Sequence, residues 1–275
     1  MIMSQTDNTK LGTAVITGAS TGIGAIYADR LAKRGYDLVL VARSADRLQE
    51  LANRLEATHG RSVRTVAADL TRAADLARVE DLLRGDASIT LLVNNAGVGG
   101  TGPLLQSDIG KMQDMIALNV TALTRLTYAA APGFVERKHG AFINIASIAA
   151  IAPEILNGVY GGSKAFVVAF SQSLQHELAD KGVRVQAVLP GATATDFWRI
   201  AGVPVEHLPQ EIVMRAEDMV DAALAGFDQG EFATIPALQD GAKWDAYEAA
   251  RRAMHPELSG TQPASRYGVA SAKAA

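Results

Sequence analysis

The chain has 275 residues, 48% of them hydrophobic and 20% charged, with a formal net charge of −3, five histidines and no cysteine. That balance suits a soluble globular chain with a sizeable core, and it gives no electrostatic case for nucleic acid or an acidic membrane surface as partner. The missing cysteine excludes disulfides, thiolate catalysis and cysteine-ligated zinc, and His59, His139, His176, His207 and His255 are too scattered to suggest a metal site.

Residues 1–11 are polar and lack the basic and apolar regions of a secretory signal. No apolar run approaches the ~18 residues of a membrane span. The expectation is a flexible start and a cytoplasmic protein. Thr13–Ile16 then reads as a short buried strand, running into the glycine-rich stretch Thr17–Gly24 (TGASTGIG). Ala25–Arg34 has helical spacing and is closed by Gly35; Asp37–Ala42 is apolar on both faces, as a strand inside a parallel sheet must be. Asp46–Thr58 reads as a charged amphipathic helix, Ser62–Ala67 as a third strand followed by Asp69 and Leu70, and Ala73–Leu83 as a helix. Ile89–Val93 is a fourth strand, ending in Asn94-Asn95-Ala96-Gly97.

The alternation continues. A long helix is expected over Ile109–Ala131, a strand over Gly140–Ala146 running into Ser147, a second long helix over Val159–Asp180, and a strand over Val183–Leu189 ending at Pro190-Gly191. Residues 196–216, with Phe197, Trp198, Pro204 and Pro209, break the rhythm and read as a loop or short helices. Glu217–Asp228 is helical, Phe232–Ile235 is an edge strand, Ala242–Met254 is helical, and 258–275 reads as a flexible tail. Strand and helix alternating this regularly predict a single α/β domain over 12–257, a Rossmann-like doubly wound parallel sheet of about seven strands with helices on both faces.

In such sheets ligands sit beyond the carboxyl ends of the strands, which is where the polar motifs fall. Glycines at 18, 22 and 24 let the backbone approach a phosphate at a helix N-terminus. At the end of the second strand, where many dinucleotide binders place an acid for the ribose 2′-hydroxyl, this chain has Arg43, whose fork suits a 2′-phosphate; Ser20 and Thr21 add hydroxyl donors. The local sequence therefore favours NADP(H) over NAD(H). Taken singly, the glycine turn, the Asn-Asn-Ala-Gly stretch and Pro190–Thr195 are also what ordinary turns look like. Tyr160 and Lys164 stand at i, i+4 on one helix, so an ammonium is expected beside a phenol, where it favours the phenolate. A plain helix surface accounts for that pair equally well when it is considered alone.

Together, TGASTGIG, NNAG, Asn119, Ser147, Tyr160-x3-Lys164 and PGATAT resemble, in order and spacing, the short-chain dehydrogenase/reductase family, in its compact form without a separate substrate domain. The resemblance covers roughly residues 12–196. It implies that Tyr160 is the acid–base residue at the substrate oxygen and that Ser147 orients that oxygen. By the same likeness Lys164 binds the nicotinamide ribose and lowers the tyrosine pKa, and Asn119 holds a water in the proton relay. It assigns Gly18, Ser20, Ile23 and Gly24 to the pyrophosphate and adenosine turn, beside Thr21, Gly22 and Arg43 from the residue reading above, and Asp69 and Leu70 to the adenine end. Asn95, Ala96 and Gly97 fall beside the adenosine ribose, and Pro190, Gly191, Thr193 and Thr195 on the nicotinamide side. Thr193 stands where the family has Val or Ile, at a site read through its backbone. Residues 196–216 match the family's substrate lid, and the helices at 109–131 and 159–180 match those through which it forms homodimers or homotetramers. The implied activity is NADP(H)-dependent hydride transfer on a carbonyl or secondary alcohol, with the apolar lid residues pointing to a hydrophobic substrate. The competing reading is a regulator or scaffold that binds NADP(H) without turnover.

Overall fold

The computed structural model describes residues 11–269. The expected flexible residues 1–10, and 270–275 of the expected tail, lie outside the described residues. Seven parallel strands form one sheet in the order β3-β2-β1-β4-β5-β6-β9. They are β1 (Thr13–Thr17), β2 (Asp37–Ala42), β3 (Val63–Ala67), β4 (Ile89–Asn94), β5 (Gly140–Ile145), β6 (Val183–Val188) and the edge strand β9 (Ala233–Thr234). The strand order runs outward from β1 to β3 and then jumps back to β4, so the crossovers leaving β1 and β4 go to opposite sides. A crevice opens where they part, above the carboxyl ends of these two strands.

Side-chain alternation along each strand feeds two separate cores. Ala14, Ile16, Leu38, Leu40, Leu91 and Val93 meet helices α1 (Gly22–Lys33), α2 (Ala45–His59) and α8 (Ala216–Gln229) on one face. Val15, Val39, Val41, Leu92, Phe142 and Val185 meet α3 (Ala73–Gly85), α5 (Leu123–Glu136) and α6 (Gly158–Leu178) on the other. Because both faces are covered, the central strands carry apolar residues at consecutive positions.

Two features depart from the expected single helix over 109–131. That region is α4 (Ile109–Ile116), a π-helical turn over Ala117–Ala122, and α5, which continues past Pro132 to Glu136. The π turn widens the helix at Asn119 and re-aims that side chain. Pro132 lies inside α5 and removes one N–H from its hydrogen-bond ladder without ending the helix.

Between β6 and α8 the chain makes an excursion whose neck is a short parallel pair, β7 (Thr193–Ala194) with β8 (Met214–Arg215). The helix α7 (Phe197–Ala201) lies within it. The chain divides into two compact units, one ending at Pro236 and one from Ala237 onward. The second contains α9 (Ala242–Ala253), where Glu248 pairs with Arg251 at 2.9 Å and Trp244 packs on Tyr247 at 5.4 Å. Among the described residues no helix is long and apolar enough to cross a membrane.

Candidate active site

The glycine turn is held in a shape that side chains would destroy. Gly18 and Gly22 have φ of +66° and +55°, in the left-handed region. A Cβ on Gly18 would lie 2.9 Å from Ala96 Cα, and one on Gly24 would collide with the carbonyl of Gly18. Asn95 braces the turn, its Nδ2 donating to the carbonyls of Thr17 at 2.8 Å and Gly18 at 3.2 Å. Thr17 Oγ1 accepts from the amides of Asn95 and Ala96, both at 3.0 Å. Asn95 therefore spends its side chain on the protein's own backbone, and the strand end meets the crevice through Ala96 and Gly97.

A cavity of about 920 Å³ fills that crevice. Of the cofactor residues expected from the sequence, Gly18, Ser20, Thr21, Arg43, Asp69, Leu70, Ala96 and Gly97 line it. Ile23 packs into the core beneath, while Gly22 and Gly24 open α1. Asp69 accepts from both the amide and the hydroxyl of Thr71, which holds its carboxyl below the usual range. Arg47 also lines the cavity, a residue that the sequence reading missed. Helical spacing does not reveal it, because Arg43 lies in the connection before α2 and only Arg47 is on the helix. The glycine turn at the N-terminus of α1 and the polar residues lining the cavity fit a dinucleotide.

The cavity continues along residues 97–102 to α4 and to Ile200–Gly202 of the excursion. Asn119, Ser147, Tyr160 and Lys164 are all buried and none of them lines the cavity; Gly97 separates Asn119 and Lys164 from it, and Tyr160 packs behind Met115. Asn119 forms a reciprocal pair with Val98, its Oδ1 accepting at 3.0 Å and its Nδ2 donating at 2.9 Å, and Nδ2 also donates to Ser163 Oγ at 3.1 Å. All its polar groups are thus engaged by protein. Gly97 lies against both residues: a Cβ there would sit 3.1 Å from Asn119 Oδ1 and 3.5 Å from Lys164 Nζ.

Tyr160 and Lys164 sit one turn apart on the inner face of α6, with Nζ 5.8 Å from the phenol ring centre. Lys164 Nζ donates to the carbonyl of Ile145 at 2.8 Å, and burial pulls its pKa down to about 8. Burial pushes the Tyr160 phenol above its ordinary value, and its hydrogen bond with Ser147 only partly offsets that. The expectation of a lowered phenol is therefore not met in this arrangement: desolvation by burial is the larger effect and the Ser147 hydrogen bond the smaller. Ser147 Oγ accepts from the amide of Ala149 at 3.2 Å and reaches the carbonyl of Pro190 at 3.5 Å.

Pro190-Gly191 and Thr193–Thr195 follow β6, and none of them lines the cavity. Thr193 Oγ1 donates to Gly191 O at 3.1 Å, the carbonyl of Thr193 accepts from Trp198 Nε1 at 3.1 Å, and a Cβ on Gly22 would lie 3.3 Å from Thr195 Cγ2. Thr195 thus stands against the glycine turn. Phe197 leans on Tyr160, the ring centres 5.7 Å apart, and its ring crosses Gly99 so closely that no Cβ fits there. That packing across about a hundred residues of chain is invisible to local pattern.

Comparison with known proteins agrees with this geometry. The family model for short chain dehydrogenases matches residues 12–202. Among solved structures, the fold is similar to a short-chain dehydrogenase from Sphingobium yanoikuyae in complex with NADPH, with a TM-score of 0.91 and 50% identity over 93% of this chain and 99% of that one. It is also similar to the bulky-bulky ketone specific alcohol dehydrogenase from Comamonas testosteroni, with a TM-score of 0.87 and 44% identity over 94% and 99%. The very-long-chain 3-oxoacyl-CoA reductase of Rattus norvegicus is 38% identical over 68% of this chain, a match that spans only 61% of that relative's length. With the glycine turn, the Tyr160–Lys164 pair and the family match all falling within residues 12–202, the chain belongs to the short-chain dehydrogenase family.

Proposed function

We propose that the protein is an NADP(H)-dependent oxidoreductase that transfers a hydride between nicotinamide and a carbonyl or secondary alcohol. The observation that carries this reading is the buried set of Ser147, Tyr160 and Lys164 beside a glycine-braced dinucleotide crevice. Gly18, Ser20 and Thr21 would hold the pyrophosphate, Asp69 and Leu70 the adenine, and Lys164 the nicotinamide ribose, with Pro190–Thr195 along the amide end. When bound, the cofactor supplies or accepts the hydride. The chain's own residues do the rest. Tyr160 Oη gives a proton to the substrate oxygen as the carbonyl is reduced, and takes one back in the reverse direction. Ser147 Oγ donates to the same oxygen and fixes its position, so the charge developing there meets two aligned donors. A phenol is protonated at neutral pH, as the reducing direction requires, and burial acts in the same sense. Asn119 holds the 97–98 strand end and the first turns of α6 together.

NADP(H) is preferred over NAD(H) in this reading because Arg43 and Arg47 both line the cavity, and because similar structures are NADPH complexes. The substrate is hydrophobic, supported by Phe197, Ile200, Met112 and Met115 around the inner cavity and by the bulky-ketone specificity named for the Comamonas relative. A cysteine-free composition fits a cytoplasmic setting. The test is NADPH oxidation against a carbonyl panel, with Tyr160→Phe in parallel. Wild-type turnover is expected, and the variant should lose about a thousandfold in kcat while NADPH affinity stays within twofold. Turnover surviving in Tyr160→Phe removes the assignment of the proton donor.

A further inference from the structure

α6 begins at an asparagine whose every polar group is engaged. Asn157 is 5% exposed and occupies the N-cap, where its Oδ1 accepts from the amides of Val159 at 2.9 Å and Tyr160 at 3.4 Å. Its backbone carbonyl accepts from Gly161 N at 2.9 Å. An aspartate, serine or threonine would serve that capping function as well. The amide half of the side chain does something a cap does not need. Nδ2 donates to the carbonyl of Gly102 at 2.7 Å and to Ser107 Oγ at 3.1 Å, and the backbone N–H donates to Gly100 O at 3.3 Å.

The segment so gripped, 100–107, is no ordinary neighbour. Gly100, Thr101, Gly102, Gln106 and Ser107 line the cavity, and Thr101 Oγ1 donates to the carbonyl of Ala201 at 2.9 Å, at the far end of α7. Ser107 Oγ in turn donates back towards Gly102 O at 2.9 Å, closing the loop on itself. One residue therefore joins the first turn of the helix bearing Tyr160 to the outer wall of the cavity, and through Thr101 to the excursion that covers it.

We propose that Asn157 is a positioning residue that fixes the distance between the Tyr160 phenol and the cavity wall at 100–107, and so sets how large a carbonyl substrate is held in register. It touches neither substrate nor cofactor and acts through the loop. The proposal rests on the carbonyl-reduction reading above. Hydrogen bonds of this kind gain their value from holding groups in place before the substrate arrives, so loosening the wall raises KM for a substrate that reaches it and leaves the chemical step alone.

The test is Asn157→Asp, which keeps the capping oxygen and removes both donated bonds. Valerophenone, with phenyl and butyl arms, and acetone serve as large and small probes with NADPH. The expected result is a KM for valerophenone raised about tenfold with kcat within twofold, acetone kinetics within twofold, and NADPH affinity unchanged. Ser107→Ala should raise the same KM, and the double variant should be no worse than Asn157→Asp alone. A cap-only role predicts wild-type kinetics in Asn157→Asp on both probes and overturns the proposal, as does a fall in kcat with KM unmoved. Hydrogen exchange of the cofactor-free protein supplies a reading independent of turnover. Amides of 100–108 should exchange at least fivefold faster in Asn157→Asp while those of α6 stay protected; unchanged exchange in the loop sinks the coupling. Wild type that reduces neither probe counts against the carbonyl-reduction reading, and the exchange measurement then decides the coupling by itself. If Asn157→Asp fails to fold, exchange and kinetics of Ser107→Ala decide in its place.

Discussion

Burial acts on Tyr160 and Lys164 in opposite chemical senses, although both end up nearer neutrality. Each loses the water that would stabilise its charged form, so the phenol holds its proton more firmly and the ammonium gives its proton up more readily. For Lys164 the fall from 10.5 to about 8 has a consequence for stability. Below about pH 8 the lysine is charged in both folded and unfolded chains, and the folded state bears the whole desolvation cost, about 3 kcal/mol. Between about 8 and 10.5 the folded protein has released the proton while the unfolded chain still binds it, so this contribution to stability rises with pH. Lys164→Met removes the cost and also strands the carbonyl of Ile145, which offsets part of the gain. The cofactor-free variant should therefore be more stable than wild type by about 1–2 kcal/mol at pH 7, with the difference shrinking towards pH 10. Urea unfolding at the two pH values measures it. A variant that is less stable at pH 7, or a gap that does not narrow, means that the lysine is held by more than its bond to Ile145.

At the scale of elements, the turn between β2 and α2 concentrates the cofactor question. Arg43 follows the strand directly and Arg47 stands in the first turn of the helix, and both line the cavity. Replacing both with alanine should lower kcat/KM with NADPH by at least about a hundredfold and change it with NADH less than threefold, since each charge-assisted bond to a phosphate contributes roughly 1.5–3 kcal/mol. Steady-state kinetics with the two cofactors decides this; equal losses with both would assign the arginines to general binding. The elements also explain what local sequence conveys. Strands such as Asp37–Ala42 are legible because a parallel strand covered on both faces must be apolar throughout, and the glycines at 18 and 24 because backbone sits where a Cβ would. Three features were not legible. The π turn at Asn119 has no compositional mark, since it changes a hydrogen-bond partner and not a residue type. Asn157 looks like any N-cap until its amide is seen to grip a loop some fifty residues earlier in the chain. Gly99 reads as a turn glycine until Phe197 is found lying across it. Short-range pattern reports propensity and burial period, and these three depend on contacts across the fold.

For the molecule as a whole, α6 has two working faces. Its inner face bears Tyr160 and Lys164; its outer face presents Phe166, which stacks on Phe170 at 5.6 Å, and Phe170 stacks on Tyr128 of α5 at 6.4 Å. Tyr128 is 69% exposed and Phe166 37%. A row of aromatics left in water on two adjacent helices is unfavourable for a lone chain, and apolar rows of this kind mark association surfaces. The same helices are those that the family resemblance implies for a homodimer or homotetramer. Association there would clamp the outer side of the helix whose inner side bears the reacting residues, so assembly and catalysis would be coupled through one rigid element. Tyr128→Glu with Phe166→Glu should convert a dimeric or tetrameric wild type to monomer at micromolar concentration, read by sedimentation velocity. Activity of the variant should fall several-fold and recover little with NADPH, because the loss lies in the support of α6 and not in cofactor binding. Wild type that sediments as a monomer at the same concentration ends this reading, and a variant that stays assembled moves the interface away from α5 and α6.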